Sequence, residues 1–227
     1  MKQAKGGPGR GFYLGLAVIA IAGVGLLAWQ ASKPKQVVSE IDTTLPKMEA
    51  QGHVIGSPTA KLEVIEFADF ECPGCGQFAT LTEPDIRTRL VNTGLIRMRF
   101  IDYPLPMHKN TWHAHRAAWC AADQNKFWEM HDAIYANQDS WNGEVTSDPD
   151  KVLLGIAKGV GLDEAKYQQC IDTKKYQAQI QANMAEAEKR GIDRTPSFII
   201  GSKKISGGMP YDDFKKAVDA ELATIKP

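Results

Sequence analysis

The sequence predicts an α/β protein, a mixed sheet covered by helices with a helical block inserted in its middle. Three observations predict it. Apolar runs alternate with helical periods as strand, helix, strand between Lys61 and Asp102. Residues 109–190 read as helices alone. Two short strands and an amphipathic helix then close the chain. A strand-helix-strand unit calls for parallel strands and a right-handed crossover. The last two strands are too close for anything but an antiparallel hairpin.

Composition sets the frame. The 227 residues fit one ordinary domain plus extras, and 43% hydrophobic with 24% charged residues is normal for a globular protein. That excludes a collagen-like, coiled-coil or wholly disordered chain. Lys plus Arg is 27 and Asp plus Glu is 27. This balance argues against nucleic-acid binding, which needs a basic face to release counterions.

Residues 1–10 carry Lys2, Lys5 and Arg10 and no acid. Gly11 to Trp29 then runs without a charge. Nineteen helical residues would span roughly 28 Å, enough for the hydrocarbon core of a bilayer. The expectation is a transmembrane signal anchor over 11–29, with residues 1–10 cytoplasmic and the remainder exported. The alternative is a cleaved signal peptide and a secreted product. Its cleavage signal is poor, because the candidate Ala31 has the bulky Trp29 two positions before it. Residues 30–57 are polar, contain Pro34 and Pro46, and read as a linker. The domain is expected over 58–227.

Within it, Lys61–Ala68 reads as a buried strand. Phe78, Leu81, Ile86 and Leu90 follow at helical spacing, with a kink expected at Pro84 and an end at Asn92–Gly94. Leu95–Asp102 alternates as a second strand. The inserted block, about 109–190, holds helices over Thr111–Asp123, Phe127–Asn137, Lys151–Lys158, Asp163–Ile171 and Tyr176–Arg190. Trp112, Trp119, Phe127 and Trp128 are expected to pack it. Ser197–Ile200 and Lys203–Ser206 are the hairpin strands. Tyr211, Phe214, Val218, Leu222 and Ile225 lie on one face of the last helix.

The chemistry sits at Cys72-Pro73-Gly74-Cys75, after a strand and opening a helix. Two Cys at this spacing can close a disulfide across one turn. The first thiol sits beside the helix N-terminus, where free N–H groups and the positive dipole end favour a thiolate. Exchange would run through a mixed disulfide on Cys72, resolved by the more buried Cys75. Pro73 and Gly74 offer no charged side chain, so backbone and helix must stabilise the thiolate. Half of a zinc site is the alternative, but zinc wants two more ligands, and Cys120 and Cys170 are isolated. A purely structural disulfide is the other. His108, His113, His115 and His131 gather in and after one loop without an acidic ligand pattern, so no metal is expected.

VIEFADFECPGC, KFWEMHDAIY and GIDRTPSFIIG together resemble the DsbA-like thiol:disulfide oxidoreductases of the thioredoxin fold, the membrane-anchored DsbA/BdbD type, over roughly residues 58–225. The resemblance implies a thioredoxin fold with an inserted helical domain. It implies that Pro196 is cis and packs against the active-site pair, with the Thr195 backbone offering strand-like hydrogen bonds to a substrate peptide. It implies a buried acid near the second Cys, for which Glu66 is the candidate. Asp69 and Glu71 are closer in sequence but fall in the loop, where solvation is expected. An exported domain meets an oxidising environment, so Cys120 and Cys170 are expected to form a structural disulfide.

The function so implied is an extracytoplasmic oxidase, on the periplasmic or cell-surface side, that introduces disulfides into newly exported Cys-containing proteins. It would need no cofactor of its own and would be reoxidised by a DsbB-like or VKOR-like membrane partner. The alternatives are a reductase or isomerase on the same fold, and a non-enzymatic, chaperone-like peptide binder.

Overall fold

The computed structural model describes residues 52–225, the strand Val37–Glu40 and, upstream, Tyr13, Gly15 and Gly23. The chain divides into two units, Met1–Lys35 and Gln36–Pro227. In the first unit the three described residues are helical; the rest of the expected anchor, 11–29, lies outside the described residues. No helix among the described residues is long and apolar enough to cross a membrane.

The second unit is built on a six-stranded sheet. Its strands are β1 (Val37–Glu40), β2 (His53–Ile55), β3 (Leu62–Ala68), β4 (Ile96–Asp102), β5 (Ser197–Ile200) and β6 (Lys203–Ser206). Their spatial order is β1-β6-β5-β3-β4-β2. β3 and β4 are parallel, and every other pairing is antiparallel. The mixed sheet is thus the one expected, but it is wider. Two strands lie within the linker expected over 30–57, and the compact unit begins at Gln36 rather than at residue 58. The physical reason is length. Strands of four and three residues at the sheet edges give too few alternations for a period to show.

Between β3 and β4 run α1 (Pro73–Leu81), α2 (Glu83–Ile86) and a π-helical turn, Arg87–Val91. Pro84 does not kink one long helix. The helix stops at Thr82, and Pro84 sits in the first turn of the next, where a missing N–H costs nothing. Gly94 ends the segment at φ +76°, a left-handed conformation that glycine adopts without strain.

The inserted block holds α3 (Thr111–Ala122), α4 (Phe127–Ala136), α5 (Gln138–Trp141), α6 (Pro149–Gly159), α7 (Glu164–Asp172) and α8 (Gln177–Lys189). Four-residue α5 was not expected; it carries the fully buried Trp141. The last helix, α9, spans Tyr211–Leu222 and buries Phe214 and Val218. Ile225 falls past its end and is exposed, so it does not extend the apolar face as expected.

Alternation along the strands sorts the core into faces. Val64, Met98 and Phe198 pack with Phe78, Ile86, Leu90, Phe214 and Val218. Ala68 and Phe100 continue that face toward the inserted helices, with Phe70, Phe127, Met130, Ile134 and Trp141. Phe67, Ile101 and Ile199 point the other way, toward Ala187 and Ile192. One row crosses four strands in register, Phe198–Glu66–Phe100–His53, and it places an ionisable group between two phenylalanines.

Candidate active site

Cys72 is the N-cap residue of α1, in extended conformation, and Pro73 holds the first helical position. Its fixed φ starts the helix, which leaves the N–H groups of the first turn aimed at Cys72. Both cysteines are free thiols, and their surroundings differ. Cys72 is 8% exposed and Cys75 is fully buried.

Cys72 is pulled down from the ordinary thiol value to about 6. The hydrogen bond from the Cys75 thiol is the largest cause; burial opposes it, and Thr195 and the N–H groups of Cys75 and Gly74 add to it. Cys75 is pushed well above the ordinary value, by burial first and then by Cys72. The polarity of the pair therefore comes first from the hydrogen bond between the two thiols, then from depth, from Thr195 and from the helix terminus, without a charged residue between the sulfurs.

The Thr195–Pro196 bond is cis and enters β5 directly. The Cys72 thiol donates to the Thr195 carbonyl at 3.5 Å. The Thr195 hydroxyl is buried with no hydrogen-bond partner, so it can serve the sulfur once Cys72 ionises. The Pro196 ring lies 3.5 Å from where a side chain at Gly74 would begin, so the loop closes over the Cys-Pro-Gly-Cys turn at van der Waals distance. Gly208 packs on the same spot, where a side chain would begin 3.8 Å from Pro196.

Glu66 is 3% exposed, in the register row between Phe198 and Phe100. Its carboxyl is raised well above the usual range, chiefly by burial and then by the charge of Glu83, while Arg87 opposes. Its charge is also felt at Cys75.

Asp69 and Glu71 correct the expectation of a solvated loop, because both are buried. Asp69 Oδ1 accepts from Glu71 N at 2.8 Å and from the Thr111 hydroxyl at 2.5 Å; Oδ2 accepts from Leu105 N and pairs with His108 Nδ1, each at 2.7 Å. Burial would raise its pKa, but the hydrogen bonds from His108 and Thr111 and the nearby His115 hold it below the usual value. Glu71 accepts from Asn110 N at 2.6 Å and Gly143 N at 2.5 Å. Gln138 of α5 donates to the carbonyls of Phe70 at 2.7 Å and Cys72 at 3.0 Å. A side chain at Gly76 would begin 2.7 Å from that glutamine, so the glycine leaves it room. These contacts tie residues 69–72 to the inserted block. The bond from Glu71 N back to Asp69 is an Asx turn, a signal the sequence held. Gln138 gave none, since its partners are backbone groups far away in sequence.

The histidines are sorted by carboxylates the sequence spacing did not reveal. His108 pairs with Asp69, His113 with Asp150, His115 with Asp102 and His131 with Asp132, at 2.6–2.8 Å. Among the described residues no group of three metal-ligating side chains converges. Cys120 and Cys170 are joined in a disulfide between α3 and α7, with Cα atoms 5.8 Å apart.

The thioredoxin family profile matches residues 48–220. The solved structure of Wolbachia pipientis alpha-DsbA1 superposes with a TM-score of 0.69 at 26% identity, covering 79% of this chain and 92% of that one. BdbD of Bacillus subtilis shares the fold at 22% identity, with a TM-score of 0.68 over 84% of this chain and 100% of that one. Among curated proteins, the probable disulfide bond formation protein D of Bacillus anthracis is 25% identical over 74% of this chain and 77% of its own length. The Na(+)/H(+) antiporter NhaA 3 of Salinispora tropica is 30% identical over 82% of this chain, but the match takes in 27% of that protein. The chain thus spans about a quarter of the length of the antiporter relatives it matches. With its profile match, its fold and its Cys-Pro-Gly-Cys turn under a cis-proline loop, the chain belongs to the thioredoxin family, as a DsbA-like member.

Proposed function

We propose that this chain is an extracytoplasmic thiol:disulfide oxidoreductase acting as an oxidase, which passes a Cys72–Cys75 disulfide to newly exported proteins. One observation carries the reading, the opposite displacement of the two thiols, with Cys72 near 6 and Cys75 well above its ordinary value. A stabilised Cys72 thiolate stabilises the reduced form, and that makes the disulfide a strong oxidant.

Substrate thiolate attacks Cys72, the less buried sulfur, and the electron pair of the S–S bond leaves on Cys75. A second substrate thiol then displaces Cys72, and the substrate departs with a disulfide. Glu66, kept protonated by its apolar row, supplies the proton that Cys75 takes up. Thr195 and Pro196 hold the substrate backbone beside Cys72, in the manner of strand addition. The Cys120–Cys170 bridge is structural.

Reoxidation calls for a membrane partner, DsbB-like or VKOR-like, and an anchor over 11–29 would keep the domain beside it. The decisive measurement is the equilibrium of the Cys72–Cys75 pair against a glutathione buffer. An oxidising couple supports the oxidase. A couple as reducing as cytosolic thioredoxins assigns the chain to the reductase side.

A further inference from the structure

The turn before Cys72 is crowded with acids. Asp69 and Glu71 are both buried, and Glu71 accepts from Asn110 N at 2.6 Å and Gly143 N at 2.5 Å. Asp69 is tied to the reactive cysteine itself, because its carbonyl accepts the Cys72 N–H at 3.1 Å. An ionised Cys72 would add a third negative group to this short stretch, and like charges so close oppose one another. Pro73 and Gly74 supply no cation to offset it.

We propose that His108 is the counter-charge of the reactive turn, a positioning residue outside the Cys-Pro-Gly-Cys motif whose imidazolium neutralises Asp69 and so lets Cys72 ionise, resting on the oxidoreductase reading above. His108 stands in the loop that leads into the inserted block. Its Nδ1 donates to Asp69 Oδ2 at 2.7 Å. Its own turn fixes it there, since His108 N donates to Leu105 O at 3.0 Å while Leu105 N donates to the same Asp69 oxygen at 2.7 Å. The His108 side chain keeps 19% of its surface in water and can exchange its proton, whereas the Asp69 side chain has none exposed. The neighbouring basic groups are committed elsewhere. Lys109 reaches Glu144 Oε1 at 3.2 Å and Gly143 O at 3.5 Å. His115 spends Nδ1 on Asp102 at 2.6 Å and leaves Nε2 4.0 Å from Asp69.

The proton on His108 is held by the cysteine as well as by Asp69. Its pKa is raised, first by the hydrogen bond with Asp69 and then, against burial, by the charges of Asp69, Cys72 and Glu71. Coupling between two groups is reciprocal. If the thiolate favours the proton on His108, that proton favours the thiolate to the same extent. Closing the Cys72–Cys75 disulfide removes one of the charges that raise His108, so the histidine titrates lower in the oxidised protein than in the reduced one. As pH rises through the His108 value the imidazolium is lost, and its support for the thiolate goes with it.

The test uses the full chain. The imidazole of His108 is titrated by NMR in the reduced and the oxidised wild type, so one arm stands even where a variant fails to fold. Its midpoint should lie about half a unit or more higher in the reduced protein. The pH profile of iodoacetamide alkylation of reduced Cys72 is then compared in His108→Gln and in His108→Lys, which restores a cation. The midpoint should rise by about one unit in the first and stay with wild type in the second. Against a glutathione buffer the disulfide should become about tenfold less oxidising in His108→Gln and keep its wild-type equilibrium in His108→Lys. One His108 midpoint for both redox forms, or an alkylation profile that His108→Gln leaves in place, overturns the counter-charge while leaving the oxidoreductase reading standing. Equal losses in the Gln and Lys variants overturn it too, by assigning His108 to the shape of the loop. A wild type that does not exchange with glutathione overturns the oxidoreductase reading, and the proposal with it.

Discussion

Cys120 and Cys170 join α3 to α7 inside the packed helical block, whereas Cys72 and Cys75 stand at a helix start where a loop, a cis-proline turn and a buried acid meet. Both pairs are cysteines in a compact domain. The first pair is surrounded by the apolar side chains of the inserted helices. At the second pair one sulfur faces first-turn N–H groups and a threonine hydroxyl, while the other is fully buried. On the function proposed above, the same element of chemistry serves as a brace in one place and as a reagent in the other.

The largest expected effect separates the pairs outright. Cys72→Ser should abolish glutathione exchange. The double variant Cys120→Ala/Cys170→Ala should exchange within about twofold of wild type but lose roughly 4 kcal/mol of stability, the chain-entropy value for a loop of 50 residues. Urea unfolding and an exchange assay on both proteins decide it. Loss of exchange in the double variant would mean that the brace shapes the reagent.

Trapping sharpens the roles within the reactive pair. Cys75→Ala should accumulate mixed disulfides with exported proteins on non-reducing gels, since the resolving thiol is gone. If Cys72→Ala gives the adducts instead, the nucleophile has been assigned to the wrong sulfur.

Acid should weaken the reactive pair and leave the brace untouched. A thiol depressed from 9.0 to about 6 contributes stability to the folded reduced form that is full above pH 9 and is lost as pH falls through 6. Titrations that do not feel the thiols are shared by the reduced and oxidised forms and cancel in their difference, while His108, raised in part by the Cys72 charge, adds a smaller contribution. That difference should shrink by roughly 2.5 kcal/mol between pH 8 and pH 5. A flat difference across this range would remove the thiolate from the account.

The smallest effect concerns one hydroxyl. Thr195→Val keeps the shape and deletes the donor, so the Cys72 pKa should rise by about one unit, given about 1.5 kcal/mol for a hydrogen bond to a charged group. The pH dependence of Cys72 alkylation reads it directly. No shift would leave the backbone N–H groups and Cys75 as the whole cause.

The central strands, the helical insert and the Cys-Pro-Gly-Cys turn were legible because each is a long run or a local motif. The hairpin strands Ser197–Ile200 and Lys203–Ser206 match the expected bounds, since Gly201 and Ser202 punctuate them. The edge strands β1 and β2 were not legible. Three or four residues cannot show a period, and their partners β6 and β4 are far away in sequence. The site divided in the same way. Cys72, Cys75 and Pro196 announce themselves by residue type and spacing. Asp69 and Glu71 did not, because an acid in a polar loop reads as solvated until Thr111, Asn110 and Gly143 fold back to meet it.

The ties from Asp69, Glu71 and Gln138 have a consequence for transplanting this chemistry. The loop before Cys72 takes its shape from Thr111, His108, Asn110, Gly143 and Gln138, in or at the entrance of the inserted block. The insert is therefore a mould for the reactive turn. Grafted onto a plain scaffold, the four residues from Cys72 to Cys75 would keep their spelling and lose their setting. A chimera that exchanges the block while sparing the motif would inherit the reactivity of the donor block, and designers should treat residues 69–76 and 105–143 as one cassette.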